Sequence, residues 1–114
     1  KDDLFDILGK ISEIGKPTGF DVKKNIFTLP FIHLLSNCEK KEKIKVLSQL
    51  KYHARRNELE SIRKMVEVGG GIEYTLKKIK EISKKAIDEI SLLPDSSFKN
   101  GLYSMLDFNL NRTK

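Results

Sequence analysis

Ile72, Leu76, Ile79, Ile82 or Ser83, Ala86, Ile90 and Leu93 recur every three or four residues, with no proline or glycine among them until Pro94. Apolar side chains at that interval share one stripe of an α-helix, and no β-strand can use the pattern, because a strand turns its side chains over every second residue. This row predicts one long amphipathic helix, and the shorter rows around it keep the same period. Leu59, Ile62 and Val66 mark a helix that stops at Gly69–Gly71. Ile44, Leu47 and Leu50 repeat at threes as one face of a short helix over about 41–52. Pro30 stands near the start of the apolar segment Leu29–Leu35, where proline is tolerated in a first turn.

After Pro94, Asp95 or Ser96 can cap a last helix with Phe98, Leu102, Met105 or Leu106, and Leu110 along one face. At the other end Asp2 to Leu8 reads as helix, with Gly9 as its stop and Gly15, Pro17 and Gly19 as loop before helix resumes after Asp21. No segment alternates with period two. The predicted fold class is all-α.

Composition narrows the function classes. Apolar residues make up 39% of the 114, low for a self-sufficient core and natural for part of a domain that packs on another part. The net charge of +6 admits an anionic partner, but Lys40, Lys41, Lys43 and Lys45, then Lys77, Lys78, Lys80, Lys84 and Lys85, are spread as they would be on solvated helix faces. No nucleic-acid recognition signature accompanies them, so nucleic acid is not an expected partner. The single Cys38 excludes a disulfide within the chain and fits a reducing, cytoplasmic setting. His33 and His53 lack zinc spacing: the first reads as a packed residue in an apolar helix, the second as a helix-junction residue. Met65 and Met105 read as core filler. Nucleophile, P-loop and dinucleotide motifs are absent.

The chemistry concentrates near residue 1. In Asp2-Asp3-Leu4-Phe5-Asp6, helical geometry puts Asp2 and Asp6 one turn apart on the same side, with Asp3 on the flank. Carboxylates that close repel, and a hard divalent cation is the usual relief. Lys16, within Gly15-Lys16-Pro17-Thr18-Gly19, and Asp21 then suit a ligand with negative charge of its own. Cation, lysine and carboxylate together form a diphosphate-handling set.

Four stretches in order resemble one family. Asp2-Asp3-Leu4-Phe5-Asp6 with Gly15-Lys16-Pro17-Thr18-Gly19 and Asp21, then Thr28-Leu29-Pro30, are similar to the second aspartate-rich region of the all-trans polyprenyl diphosphate synthases. Gly69-Gly70-Gly71-Ile72-Glu73-Tyr74 resembles the Gly-Gly-Ile-Glu-Tyr stretch of the longer-chain members, and Leu92-Leu93-Pro94-Asp95-Ser96 before a short helix resembles their C-terminal end.

The resemblance implies an isoprenoid-synthase-type helical bundle, of which residues 1–114 would be the C-terminal portion of a single domain. The first aspartate-rich motif and the isopentenyl diphosphate site would lie upstream, and the fragment alone would be inactive. The implied activity is magnesium-dependent condensation of an allylic diphosphate with isopentenyl diphosphate. Asp2 would be a direct Mg2+ ligand, with Asp3 and Asp6 acting through waters and Asp21 supporting the metal's outer shell. Lys16 would contact the allylic diphosphate, and Arg112 and Lys114 would close over isopentenyl diphosphate. A homodimer is implied, and a lipid product is compatible with peripheral membrane association. One departure stands out: Ile26 occupies a position where many members carry a second lysine, with Lys23 and Lys24 nearby but out of register. The rival readings are a non-catalytic subunit of a heteromeric synthase, against which the intact acidic motif argues, and a basic helical interaction module.

Overall fold

The computed structural model describes residues 1–8 and 20–112, and among these it contains seven α-helices and no strand. They are α1 (Asp2–Leu8), α2 (Phe20–Lys23), α3 (Leu29–Ser36), α4 (Lys40–Arg55), α5 (Leu59–Val68), α6 (Gly71–Ser91) and α7 (Ser97–Asn111). The all-α expectation holds. The predicted stop at Gly9 and the loop over 15–19 lie outside the described residues. The chain divides into two compact units, Lys1–Thr75 and Leu76–Lys114, with the boundary inside α6.

The first unit is built round Phe31, Leu50 and Val66, all fully buried, together with Ile7, Val22, Leu34, Ala54 and Ile62. Helix α4 packs on α2, α3 and α5, while α1 lies against α3 and α5. The buried stripe of α4 shares Leu50 with the face read from the sequence but runs along a different line. Val46, Leu50 and Ala54 line the core at intervals of four, whereas Ile44 is 67% exposed. The 3.6-residue period fixes that there is a stripe, but neighbouring helices decide its exact angle and how far along the helix it is covered.

Asparagines close two of these helices. Asn25 (φ 58°) donates its N–H to the Val22 carbonyl at 3.0 Å, and Ile26 donates to Asp21 at 2.8 Å. Asn57 (φ 59°) repeats the pattern after α4, with bonds to Ala54 at 3.3 Å and from Glu58 to His53 at 2.9 Å. Both are Schellman caps, in which a left-handed residue lets the chain satisfy the last helical carbonyls, and asparagine is the non-glycine residue best suited to that conformation. Across the second cap His53 Nδ1 meets Glu58 Oε2 at 2.6 Å, and Arg56 Nε donates to Glu58 Oε1 at 2.7 Å. His53 is the junction residue the sequence indicated.

In the second unit Ser96 caps α7, its hydroxyl accepting from the Lys99 N–H at 3.1 Å. The Lys99 ammonium donates to the carbonyls of Ser91 (3.2 Å) and Leu93 (2.9 Å) and to Asp95 Oδ1 (3.2 Å), tying down the turn that follows α6. Phe98 is 83% exposed and Met105 68%, so the expected apolar face of α7 is present but largely uncovered. The reading of Met105 as core filler is corrected; Met65 does pack against the core cluster. No helix among the described residues is long and apolar enough to cross a membrane.

Candidate functional site

Helix α1 opens on Lys1, whose carbonyl accepts from Leu4 (2.9 Å) and Phe5 (3.0 Å), so Asp2 and Asp3 stand in the first turn, where the helix dipole favours negative charge. Leu4 and Ile7 are buried and fix which side of the helix faces inward. Asp2 is exposed, and Asp3 and Asp6 are half-buried.

Fifteen residues on, the single turn of α2 brings Asp21 to the same place. Its N–H donates to Asp6 Oδ2 at 3.2 Å, and its carbonyl is held by the Schellman bond from Ile26. The neighbouring Val22 is buried in the core and anchors the turn. Asp21 lies inside the first turn of α2. Its carboxyl is pushed above the usual carboxylate range, first by burial, then by the charge of Asp6, then by that of Asp3. Negative charge therefore accumulates between α1 and α2, and the ionised form of Asp21 is penalised by it.

Among the described residues no three His, Cys, Asp or Glu side chains converge tightly enough to cage a metal ion. Magnesium binds through one or two carboxylates and completes its shell with waters and ligand phosphates. The residues fit the ion: they offer oxygen donors and like charges that a dication would offset. Lys16 and Lys114 lie outside the described residues. Arg112 ends α7 in the second unit, bordering a cleft with Tyr103, Asp107 and Phe108. A different cleft, of about 610 Å³, opens between Leu34, Cys38, Val46, His53 and Met65, and none of Asp2, Asp3, Asp6 and Asp21 lines it.

Residues 1–68 match the polyprenyl synthetase family. The chain belongs to that family. Among curated relatives it is 23% identical over 111 residues to an octaprenyl diphosphate synthase of Haemophilus influenzae, a match covering 97% of this chain and 34% of the relative. It is 30% identical to the chloroplastic solanesyl diphosphate synthase 1 of Arabidopsis thaliana, over 97% of this chain and 26% of the relative. Against a probable mitochondrial hexaprenyl pyrophosphate synthase of Neurospora crassa it is 32% identical, over 99% of this chain and 24% of the relative. The chain thus spans about a quarter to a third of the length of these polyprenyl synthetases. No solved structure matches it.

Two of the family-like stretches meet in space. The glycine run between α5 and α6 lies on α3, the helix that begins at Thr28-Leu29-Pro30, and Tyr74 stacks on His33 with ring centroids 4.0 Å apart and planes at 11°. His33 is packed, as expected of it. The glycines end α5, with Gly69 as its C-cap as the sequence indicated, and they are also the point where two helices touch: α6 begins at Gly71. Sequence reasoning did not foresee the His33–Tyr74 pair. An aromatic four residues into a helix that starts on glycines was the available signal.

Proposed function

We propose that this chain carries the allylic-diphosphate side of the active site in a magnesium-dependent trans-polyprenyl diphosphate synthase. The observation that supports it most is the pairing of Asp21 with Asp6 across fifteen residues, which gathers carboxylates from two helices into one place. Within that reading Asp2 would hold the ion directly, Asp3 and Asp6 would hold it through waters, and Asp21 orients Asp6 through its own N–H. Bound magnesium supplies positive charge against the diphosphate leaving group. Lys16 donates to the same diphosphate, whose charge grows as the C–O bond breaks. The double bond of isopentenyl diphosphate then attacks the allylic carbon, and loss of a proton leaves a product one isoprene unit longer.

The Gly-Gly-Ile-Glu-Tyr stretch and the relatives' names favour a long-chain product. A cytoplasmic homodimer, with Arg112 and Lys114 near isopentenyl diphosphate, completes the proposal. The test is prenyl transfer by the complete protein, including sequence beyond these 114 residues. Labelled isopentenyl diphosphate and farnesyl diphosphate are supplied with and without magnesium, and products are resolved by length. Magnesium-dependent elongation supports the reading; a folded protein that elongates no allylic primer rejects it in favour of a non-catalytic subunit.

A further inference from the structure

The three glycines at the α5–α6 junction do different work. A Cβ on Gly69 would overlap the Leu34 side chain, whose terminal methyl can swing away. At Gly70 (φ 72°) it would touch only His33 Nε2, at an ordinary 3.7 Å, although the backbone itself is left-handed. On Gly71 it would overlap the Pro30 carbonyl oxygen and lie 3.0 Å from the Pro30 carbonyl carbon and 2.9 Å from Val66 Cγ1. At Gly69 the Met65 carbonyl oxygen would also be close, at 3.3 Å, but only at Gly71 would the Cβ overlap a backbone, which cannot rotate out of the way. The junction and the first turn of α3 therefore touch main chain to main chain, and the His33–Tyr74 stack closes over the same contact one turn further along each helix.

That contact fixes the spacing of the bed on which the acidic helix rests. Helix α1 packs on α3 and α5, with Ile7 in one cluster with Phe31, Leu34 and Val66. Helix α2, which carries Asp21, packs on α4 instead. Asp6 reaches the α3–α5 pair directly through α1, whereas Asp21 reaches it through α4, which packs on both, and Val22 shares the Ile7 cluster. A shift of α3 against the α5–α6 junction therefore acts on α1 and α2 by different routes. We infer that Gly71 is a positioning residue: its close contact with Pro30, clamped by Tyr74 on His33, sets the register of the α1 carboxylates against Asp21 and so the affinity for magnesium. This rests on the synthase reading above. Clearing a Cβ from a backbone oxygen needs a shift on the order of 1 Å, and a misplacement of about that size at reacting groups costs roughly a hundredfold in rate.

The experiment titrates magnesium into the complete protein with inorganic diphosphate present and reads the rise in Tm, so that no turnover is needed. Prenyl transfer is measured separately. Gly71→Ala is expected to raise the half-saturating magnesium concentration about tenfold or more. Gly70→Ala strains the left-handed backbone and lowers the metal-free Tm, yet leaves that concentration within about twofold, because it pushes on nothing. Tyr74→Leu removes the stack without adding an overlap and is expected to shift the midpoint about threefold, which keeps the test decisive if Gly71→Ala does not fold. Where turnover is present, Gly71→Ala raises KM for the allylic diphosphate more than Gly70→Ala does. Equal midpoints in wild type, Gly71→Ala and Tyr74→Leu would overturn the inference, as would a wild type whose Tm ignores magnesium. A magnesium response without prenyl transfer would instead reject the synthase reading and leave the positioning role standing.

Discussion

The two units of this chain are made from the same kind of helix and end in opposite states. Lys1–Thr75 holds every buried side chain among the described residues, whereas Leu76–Lys114 holds none. The second unit is hardly less apolar: Leu92 is 79% exposed and Phe108 69%, alongside Phe98 and Met105. An amphipathic stripe is thus a demand for a partner and not evidence of one. In the first unit α2, α3 and α5 pack on α4, α1 packs on α3 and α5, and the demand is met. In the second, order comes from polar devices, the Ser96 cap and the Lys99 ammonium on helix-end carbonyls. Uncovered apolar stripes of this size mark surfaces that associate, which accords with a chain spanning a quarter to a third of its relatives' length.

The largest way to break this contrast is a pair of substitutions. Leu50→Ala, at a fully buried site, should cost roughly 2–5 kcal/mol in chemical denaturation. Phe108→Ser, on the uncovered face, should stay within about 0.5 kcal/mol and reduce self-association. Comparable losses from both would mean that the second unit's apolar face is covered after all. Next in size, Ser96→Ala should cost about 1 kcal/mol, visible as faster amide exchange in α7 with protection in α3 to α5 unchanged. Exchange that quickens equally everywhere would show that the units do not open separately.

Two smaller effects belong to the first unit and carry a sign in pH. Asp21 has a folded-state pKa above its unfolded value, so the stability linked to it is present in acid and lost as pH rises through the raised pKa. Asp21→Asn stays neutral throughout. It should therefore raise the Tm of the metal-free protein at pH 7, leave it unchanged well below the carboxylate range, and weaken magnesium binding. Destabilisation at pH 7 would mean that the carboxylates are not crowded. Glu58 behaves oppositely: the hydrogen bond with His53, then that from Arg56, holds its pKa down, so its contribution is present near neutrality and fades as pH falls through that depressed pKa. Glu58→Gln should remove that acid-side slope, read as Tm against pH.

Helix identity was legible because a 3.6-residue period needs no tertiary knowledge: α6, α5 and the Ser96 cap of α7 all stand where Ile72–Leu93, Leu59–Val66 and the Pro94-Asp95-Ser96 turn indicated. Burial was not, since Ile44 and Met105 carry the right residue type at the right spacing and lack only a neighbour. The acidic turn of α1 could be read directly, but its pairing with Asp21 depends on how a one-turn helix is anchored by Val22 and closed by Asn25, which no local pattern specifies. The glycine run punctuates the sequence as expected, while its role as a backbone contact depends on Pro30, some forty residues earlier.

The most direct test compares prenyl transfer by the complete wild-type protein and its Asp2→Asn variant, with magnesium varied at saturating allylic diphosphate. The expected result is magnesium-dependent elongation in the wild type and a turnover lowered by about a hundredfold or more in Asp2→Asn, with KM for the allylic diphosphate changed far less. Turnover unchanged by Asp2→Asn, or elongation indifferent to magnesium, would contradict the assignment of the α1 carboxylates to the metal.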